Sequence, residues 1–484
     1  MTKSYDVAII GAGSAGLTAL REVRKRTDNF VLINDGFYGT TCARVGCMPS
    51  KALIEVANAF HRRKLFNAFG VSGAEGLTVD IPAVLRRVRR LRDDFVAGML
   101  KLTDELNESS IAGRARFLDP QVLAVGDRRV HAKKIIIATG SRPVLPKEWS
   151  LFGTGILTSD DLFEQETLPS HMAVIGMGAI GSEIAQALSR LGITITGFGH
   201  AEHIAGLSDT AVNSQAVALM RAEFTLHLGQ TAEPVIEGKR IRVRAGNESV
   251  VVDKMLVSLG RRPNVDQMGL ENLGIELDEH GVPPFNTHTM QIADLPIYIA
   301  GDASRHLPFL HEAIDEGYIA AYNALRNEPA CFERRVPLEI VFTEPSIAVV
   351  GQTSVELDEN ETVIGEVDFS KQARARMGEV NHGLLRVYVE RSSGRLLGAE
   401  LFAPQGEHLA HLLALAIQRK LTVCELLHMP FYHPVLEEGL RTALLDAATK
   451  LSGADVPDLA FCERLHNTAF EHTPLLGICI LSEW

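Results

Sequence analysis

The amino-acid sequence predicts an α/β protein in which two similar nucleotide-binding units precede a C-terminal domain of mixed strands and helices. An apolar strand, a glycine-rich turn and a helix follow one another at residues 5–26, and the same succession returns at residues 172–191. From Val336 the pattern changes to alternating strands, and then to a helix over Glu407–Lys420. Chains that alternate strands with helices form parallel sheets covered by helices.

The first unit has the features of a dinucleotide-binding turn. Tyr5–Ile10 is a short apolar run rich in β-branched residues, as a buried parallel strand requires. Gly11, Gly13 and Gly16 follow at once and open a helix over residues 17–26. The glycines permit a tight turn in which a pyrophosphate approaches the free N–H groups at the helix N-terminus. This order of elements predicts a Rossmann-like unit.

The residue that normally holds the adenosine ribose is altered in this unit. The next strand, Phe30–Ile33, would ordinarily be followed by an acidic residue. Asn34 stands there instead, with Asp35 after it. We therefore expect the ribose contact to be altered, or to be shifted by one residue.

Two cysteines lie just beyond this strand, Cys42 and Cys47. A disulfide between them would close a loop of about six residues and would stabilise the chain by roughly 2 kcal/mol at most. A short, strained crosslink of this kind is a poor structural staple and a good redox couple. The alternative is two unrelated buried thiols. The segment Pro49–Lys51 then leads into a helix predicted over residues 52–61.

A further helix is predicted from Ile81 to Phe95. One face carries apolar side chains, with Phe95 as the last of them, and five arginines fill other positions. The arginines form either a solvated helix surface or a basic docking face for an acidic partner.

Two later strands lead into residues suited to contact a cofactor. Lys134–Ile137 runs into a turn formed by Thr139 and Gly140. Ile297–Ile299 is followed by Asp302, whose carboxylate could reach a ribityl or phosphate group.

The second unit repeats the pattern of the first. Met172–Ile175 is the predicted strand, Gly176, Gly178 and Gly181 form the turn, and residues 182–191 form the helix. Two such units in one chain imply two nucleotides, which face each other if one passes electrons to the other.

The choice between NAD and NADP stays open in this second unit. The strand Ile193–Thr196 leads to Gly199, where an acidic residue would hold the ribose of NAD. An arginine pair that would bind a 2′-phosphate is missing as well. The charges nearby are those of Glu202 and neutral histidines, and this favours NAD.

A candidate general base stands near the end of the chain. Pro434 in the first turn of a helix would leave His433 at the helix entrance, with Glu438 about one turn further on. An imidazole oriented by a carboxylate is the usual arrangement for a base that works near neutral pH. No metal site is predicted, because His408 and His411 have no third ligand at a useful spacing.

The bulk composition excludes several classes of function. The chain has 484 residues, and its net charge of −12 argues against a general binder of nucleic acid or anionic membranes. No apolar run is long enough to span a membrane, and the N-terminus shows no signal-peptide pattern. Six cysteines in a chain of this length fit a reducing compartment. We therefore expect a cytoplasmic protein.

Taken together, these motifs resemble the two-dinucleotide-binding flavoprotein disulfide oxidoreductases over about residues 4–450, and most of all the dihydrolipoyl dehydrogenases. The resemblance rests on both glycine turns, on the cysteine pair with Pro49–Lys51, and on His433 with Glu438. It implies two Rossmann-like domains and a C-terminal α+β dimerisation domain. We expect these divisions: 1–145, FAD-binding with the redox disulfide; 146–270, NAD-binding; 271–335, completing the FAD domain; 336–450, dimerisation; and 451–484, a C-terminal extension.

The resemblance also implies a role for each candidate residue. Cys42 would exchange with substrate, and Cys47 would lie next to the flavin and form a charge-transfer complex as its thiolate. Lys51, paired with Glu183, would sit near flavin N5 and influence its potential. His433 and Glu438 would serve the disulfide of the other subunit of a homodimer. The expected cofactor contacts are Gly11, Gly13, Gly16, Asn34, Thr41, Lys51, Thr139, Gly140 and Asp302 for FAD, and Gly176, Gly178 and Gly181 for NAD.

The function that the resemblance implies is the oxidation of dihydrolipoamide by NAD⁺ through the Cys42–Cys47 disulfide and FAD. The partner would be a lipoylated carrier protein or a small disulfide or dithiol. One alternative is a reductase of another disulfide that uses NAD(P)H. Another is a non-catalytic flavoprotein that acts as a redox sensor.

Some residues depart from the family pattern. Arg44 lies between the cysteines, where it either lowers the pKa of a thiol or faces outward. Asn34 and Gly199 both replace family acids. Cys462 and Cys479, in the extension, are neither adjacent nor terminal, unlike the redox pair of the large thioredoxin reductases.

Overall fold

The computed structural model describes residues 4–452 and 459–460. Its strands are β1 (Ser4–Ile10), β2 (Phe30–Asn34), β3 (Ser110–Ala112), β4 (Ala115–Asp119), β5 (Val122–Val125), β6 (Arg128–Ile137), β7 (Ser141–Pro143), β8 (Ile156–Leu157), β9 (His171–Ile175), β10 (Thr194–Gly199), β11 (Thr225–Leu228), β12 (Glu233–Glu237), β13 (Arg240–Ala245), β14 (Glu248–Val252), β15 (Lys254–Val257), β16 (Arg261–Pro263), β17 (Ile297–Ile299), β18 (Leu338–Val341), β19 (Ser346–Gly351), β20 (Thr362–Asp368), β21 (Leu384–Glu390) and β22 (Leu396–Ala403).

The α-helices of the same residues follow in chain order. They are α1 (Ser14–Arg24), α2 (Thr41–Arg44), α3 (Cys47–His61), α4 (Ile81–Asp104), α5 (Ser159–Leu162), α6 (Ala179–Arg190), α7 (Thr210–Glu223), α8 (Leu310–Ala324), α9 (Ala373–Met377), α10 (Gly406–Gln418), α11 (Val423–Leu427) and α12 (Glu438–Ser452). None of the helices in these described residues is long and apolar enough to cross a membrane.

The first sheet has the order β3-β2-β1-β6-β5-β4, with β17 also paired to β6. β1 runs parallel to both of its neighbours, so that Val7 faces Phe30 on one side and Lys134 on the other. Because β1 and β2 are buried on both faces, they are almost continuously apolar. The parallel strands end at one edge, where the glycine turn between β1 and α1 lies.

The second sheet has the order β11-β10-β9-β15-β8, and all of its pairs are parallel. A separate antiparallel sheet, β12-β13-β14, interrupts the chain before β15. The short pair β7 and β16 connects the two nucleotide-binding units. The segment that contains β17 returns to the first sheet, where β17 pairs in parallel with β6.

The C-terminal domain is an antiparallel sheet in the order β18-β19-β22-β21-β20. α10, α11 and α12 pack on it around a separate apolar core. The α/β class with two Rossmann-like units and an α+β C-terminal domain is confirmed.

Several predicted boundaries are wrong. α3 begins at Cys47 rather than at residue 52, because Pro49 fits the first turn, where a missing N–H costs no hydrogen bond. α12 begins at Glu438 and not at Pro434. Glu438 Oε2 instead accepts the Val435 N–H at 3.2 Å, within the turn that precedes the helix.

Other elements also differ from their predicted limits. α4 continues to Asp104 and leaves Phe95 exposed, because its buried residues lie only in its first two turns. α1 and α6 begin inside the glycine turns, three residues before their predicted starts. The strand predicted over 193–196 runs on to Gly199 as β10. The start of the predicted extension, Leu451 and Ser452, belongs to α12, while Cys462 and Cys479 lie outside the described residues.

Candidate active site

The first glycine turn is shaped to receive a phosphate. Gly11 has φ 105°, and a Cβ there would lie 2.3 Å from the Ala138 carbonyl oxygen. A Cβ on Gly16 would lie 1.9 Å from the oxygen of Gly11. Gly13 is the N-cap of α1 and supplies no side-chain cap, so the first N–H groups of the helix are left for a ligand. The residues present therefore fit the pyrophosphate of FAD.

Further predicted FAD contacts gather at the same sheet edge. Gly140 follows β6 with φ 69°, and the buried Thr139 Oγ1 has no hydrogen-bond partner in the described chain. Asp302 accepts a 2.5 Å hydrogen bond from the Ser141 hydroxyl, which places its carboxylate beside this turn. An orphaned buried hydroxyl at the end of a strand is what a cofactor contact requires.

The Asn34 side chain forms hydrogen bonds with the backbone of the glycine turn and of the residues after β2. Its Oδ1 accepts the Ala12 N–H at 3.1 Å, and its Nδ2 donates to the Gly36 carbonyl at 3.1 Å. A ribose hydroxyl would have to share these groups. Thr41, another predicted FAD contact, is the exposed first residue of α2.

The second glycine turn reproduces the geometry of the first. Gly176 has φ 99°, and a Cβ there would lie 2.3 Å from the Ser258 oxygen, while one on Gly181 would lie 1.8 Å from Gly176 O. Gly178 is the N-cap of α6 without a side-chain cap. At the end of β10, a Cβ on Gly199 would lie 2.6 Å from Leu228 Cδ2, so an acid there would require the Leu228 side chain to move.

The two cysteines lie on consecutive short elements. Cys42 is in α2, Cys47 is the first residue of α3, and both are half-buried free thiols in this structure. Cys42 and Cys47 share a hydrogen bond. The placement brings together two sulfurs that the sequence predicted to act as a pair.

The environment makes the two sulfurs unlike each other. The hydrogen bond from Cys42 is the main cause that lowers the pKa of Cys47 to about 7, with the Lys51 charge assisting and burial opposing. The same hydrogen bond, together with burial, raises the pKa of the Cys42 thiol far above its usual range. When the pair is reduced, Cys47 therefore holds the thiolate and Cys42 holds the proton.

Lys51 and Glu183 form the ion pair that the resemblance predicted. Lys51 Nζ donates to the two carboxylate oxygens of Glu183 at 2.9 and 2.8 Å. Glu183 also accepts the Phe342 N–H at 2.9 Å, and the Lys51 ammonium lies 4.6 Å from the Phe342 ring. The pair joins α3 to α6, one turn of helix from Cys47.

Replacing Lys51 by methionine should raise the pKa of Cys47 by about one unit, because the charge that favours the thiolate is lost. The test is the pH dependence of Cys47 alkylation by iodoacetamide in a Cys42→Ser background, where the introduced hydroxyl can still donate a hydrogen bond. Lys25→Met, which removes an exposed lysine paired with Glu22, is the control. An unchanged midpoint in Lys51→Met would remove Lys51 from this role.

Arg44 packs on the ring of an exposed phenylalanine. Its guanidinium lies 4.7 Å from the centroid of the exposed Phe37 ring. The cation that lowers the pKa of Cys47 is Lys51. The structure thus supports the outward-facing alternative for Arg44.

The predicted base and its acid are in contact. His433 Nδ1 lies 3.0 Å from Glu438 Oε1, and this hydrogen bond is the main cause that lowers the pKa of Glu438. The His433 side chain is 72% exposed. Within the described residues of one protomer, His433 shares no hydrogen bond with the cysteine pair.

Sequence reasoning missed Thr40. This buried residue has φ 52°, in the region that favours glycine, and its Oγ1 accepts the Ala43 N–H at 3.1 Å as the N-cap of α2. It thereby fixes the start of the helix that carries Cys42. The signal available in the sequence was the residue type itself, because threonine is a preferred N-cap and Thr40 directly precedes α2.

The arginines of α4 also have a function that the sequence did not reveal. Arg89 donates to the carbonyls of Phe163 and Gln165 at 3.1 and 2.6 Å, and Arg92 pairs with Glu164. These bonds attach α4 to the second nucleotide-binding unit. Neither a solvated surface nor a docking face describes these two arginines.

Fold and site together define an oxidoreductase with two dinucleotide sites and a thiol pair between them. A family model described as pyridine nucleotide-disulphide oxidoreductase matches residues 5–317, and the dimerisation-domain model of that family matches residues 338–444. The chain belongs to the pyridine nucleotide-disulphide oxidoreductase family. FAD and NAD(P) are the cofactors of this family, as predicted.

Known relatives fall into more than one activity class. The dihydrolipoyl dehydrogenase of Thermus scotoductus is 32% identical over 457 residues, which cover 91% of this chain and 97% of the relative. The mercuric reductase of Shigella flexneri is 30% identical over 476 residues, which cover 95% and 83%. A Cu(II) complex of the HOCl-induced flavoprotein disulfide reductase RclA from Escherichia coli has the same fold, with a TM-score of 0.79, 23% identity and coverage of 92% and 99%.

Proposed function

We propose that the protein oxidises dihydrolipoamide, or a lipoylated carrier protein, with NAD⁺ through the Cys42–Cys47 disulfide. The observation that carries this proposal is the placement of the two free thiols, Cys42 in α2 and Cys47 at the start of α3, one helical turn from the Lys51–Glu183 ion pair. Together with the hydrogen bond from Cys42, the Lys51 charge favours the thiolate at Cys47, since it lowers the pKa of that residue. Such a pair accepts a substrate dithiol at one sulfur and holds electrons at the other.

The exchange begins at the substrate. His433 of one subunit takes a proton from one substrate thiol, and the resulting thiolate attacks the Cys42 sulfur of the other subunit's disulfide. The Cys42–Cys47 bond breaks, Cys47 leaves as a thiolate, and a mixed disulfide joins Cys42 to the substrate. Lys51 stabilises the charge on Cys47.

The second substrate thiol then attacks the substrate sulfur of the mixed disulfide. The cyclic disulfide leaves, Cys42 departs with the proton of this second substrate thiol, and His433 keeps the proton of the first thiol until it releases that proton to solvent. The enzyme now holds the electron pair as the Cys42 thiol and the Cys47 thiolate. The chemistry that FAD supplies when bound is the two-electron connection between this pair and NAD⁺. Gly13 and Gly178 open the two helix N-termini that would bind the two pyrophosphates.

A substrate comparison tests the proposal. Dihydrolipoamide or lipoamide, glutathione disulfide and thioredoxin should each be assayed with NAD(H) and with NADP(H). We expect dihydrolipoamide with NAD⁺ to give the highest kcat/KM, since the sequence after the second strand of the NAD unit has no arginine pair to bind the 2′-phosphate of NADP. A preference for another disulfide with NAD(P)H would instead support the alternative function, a reductase of that disulfide.

The exposure of His433 also supports a proposal about the oligomeric state. We infer a homodimer in which each disulfide is served by His433 and Glu438 of the partner. A cytoplasmic location stays a prediction from the composition.

A further inference from the structure

Helix α6 carries a stripe of buried polar side chains along one face. Its members are Glu183, Gln186 and Arg190, which are only 6%, 3% and 6% exposed. Their spacing of three and four residues places them one above another on the helix. Burying polar groups is costly unless each finds a partner, so the partners indicate what the stripe does.

The first member, Glu183, is held by two different elements. Lys51 belongs to α3, the helix that begins at Cys47, and Phe342 belongs to the segment that follows β18. Glu183 can remain opposite Lys51 only while α6, α3 and this segment keep their relative positions.

The other two members bind the same two elements. Arg190 donates to Asn58 of α3 at 2.7 Å, and Asn58 lies seven residues beyond Lys51, as Arg190 does beyond Glu183. Gln186 accepts the Glu344 N–H at 2.9 Å and donates to the Glu344 carbonyl at 3.0 Å.

Arg190 completes the set of contacts to that segment. It donates to the Glu344 carbonyl at 2.7 Å and to its carboxylate at 2.8 Å, and it pairs with Glu223 of α7 at 2.7 Å. α6 is therefore tied to α3 at two points two turns apart, and to the segment after β18 at two points as well. Two contacts that lie two helical turns apart fix the orientation of α6 relative to its neighbour, whereas a single contact would let α6 rotate.

We propose that Arg190 and Gln186 are positioning residues that hold the Glu183 carboxylate against Lys51, and so set how strongly Lys51 acts on the Cys47 sulfur. The proposal rests on the proposed function, in which the Cys47 thiolate is the electron-holding sulfur. It links α6, which starts at the second glycine turn, to α3, which begins at Cys47.

The energetics support a positioning role over a purely stabilising one. Buried ion pairs contribute little net stability compared with apolar groups of similar size, because each charge loses its hydration. What such a network does provide is a single arrangement of its partners. The groups that act on Cys47 are Cys42 from α2, Lys51 from α3 and Glu183 from α6.

The sign of the expected effect follows from these charges. Glu183 raises the pKa of Cys47, so neutralising it in Glu183→Gln should lower that pKa. Loosening Glu183 should act in the same direction and less strongly. We expect Gln186→Met to lower the apparent pKa by about 0.5 unit, a fraction of the roughly 1–3 units that a nearby charge produces.

The experiment measures the alkylation rate of Cys47 against pH in the full-length holoenzyme on the Cys42→Ser background. Gln186→Met removes the contacts to Glu344 and the hydrogen bond that Gln186 Nε2 donates to Glu223 at 3.0 Å. It leaves no lone buried charge, because Glu223 stays paired with Arg190. Arg190→Met combined with Glu223→Met removes the buried Arg190–Glu223 pair and leaves the Glu344 carboxylate, which is 40% exposed, to solvent. Arg190→Lys alone keeps the charge and should keep most of the original pKa of Cys47. Arg386→Met is the matched control, because Arg386 also makes a largely buried pair between domains, with Asp209 at 3.2 Å.

The proposal predicts a lower pKa of Cys47 in Glu183→Gln, Gln186→Met and the double variant, and an unchanged pKa in Arg386→Met. If Glu183→Gln shifts the pKa while Gln186→Met and the double variant do not, the positioning role is overturned and the proposed function stands. A shift in Arg386→Met as well would also overturn it, since general loosening of domains would then explain the data. If neither Glu183→Gln nor Lys51→Met shifts the pKa, the assignment of the Lys51–Glu183 pair itself is wrong.

Discussion

Cys47→Ser is expected to lower the turnover of dihydrolipoamide with NAD⁺ by roughly 10³-fold or more, because the disulfide cannot form without both sulfurs. The Cys47 side chain is half-buried and a hydroxyl is a close substitute in volume, so the variant should fold. Steady-state assays of dihydrolipoamide oxidation measure the loss. Turnover at the normal rate in this variant would disprove the thiol mechanism.

The reciprocal variant separates the roles of the two sulfurs. Cys42→Ser should be equally inactive in turnover, yet it should keep a thiol that is alkylated with a midpoint near the pKa of about 7 given for Cys47. Of the pair, Cys47→Ser keeps only Cys42, whose pKa is raised first by the hydrogen bond with Cys47 and second by burial. Burial remains in this variant, so alkylation of Cys42 at neutral pH should be slow. Equal alkylation rates at pH 7 would mean that the structure assigns the thiolate to the wrong sulfur.

Local sequence patterns sufficed for the parts of the fold that local chemistry determines. Each glycine turn needs a tight bend between a strand and a helix, and only glycine satisfies the close approaches at Gly11 and Gly176. The same holds for His433 and Glu438, which are close in sequence and meet in space. Such features can be read without knowledge of the rest of the chain.

Contacts between elements that are far apart in the sequence could not be predicted from these local patterns. Nothing in the sequence near Arg190 indicates that it meets Asn58 and Glu344, because those contacts depend on how three domains pack. The start of α3 was placed too late for a similar reason. Pro49 can end a loop or sit in the first turn of a helix, and the packing of Ala52, Leu53 and Ala57 decides between them.

His433→Gln should reduce turnover by about 10²–10⁴-fold, the usual contribution of a positioned base. Because Nδ1 is bound to Glu438, Nε2 is the nitrogen left to take the substrate proton. The side chain is 72% exposed, so the substitution should leave the melting temperature nearly unchanged. Tyr432→Gln, at an exposed neighbouring position, is the control and should keep most of the activity. Near-normal turnover in His433→Gln would exclude this residue as the base.

Mixed dimers show whether His433 acts within its own chain or on its partner. Cys47→Ser and His433→Gln chains, each inactive alone, should be mixed under conditions that exchange subunits. If sites are shared, half of the dimers carry one intact site of two, and activity should recover to about a quarter of the wild-type value. If each chain holds its whole site, every site in the mixture lacks one residue and no activity returns. Two observations favour the first result: His433 is exposed, and within the described residues of one protomer it makes no hydrogen bond to the cysteines. A base so open to water needs a second subunit to enclose it.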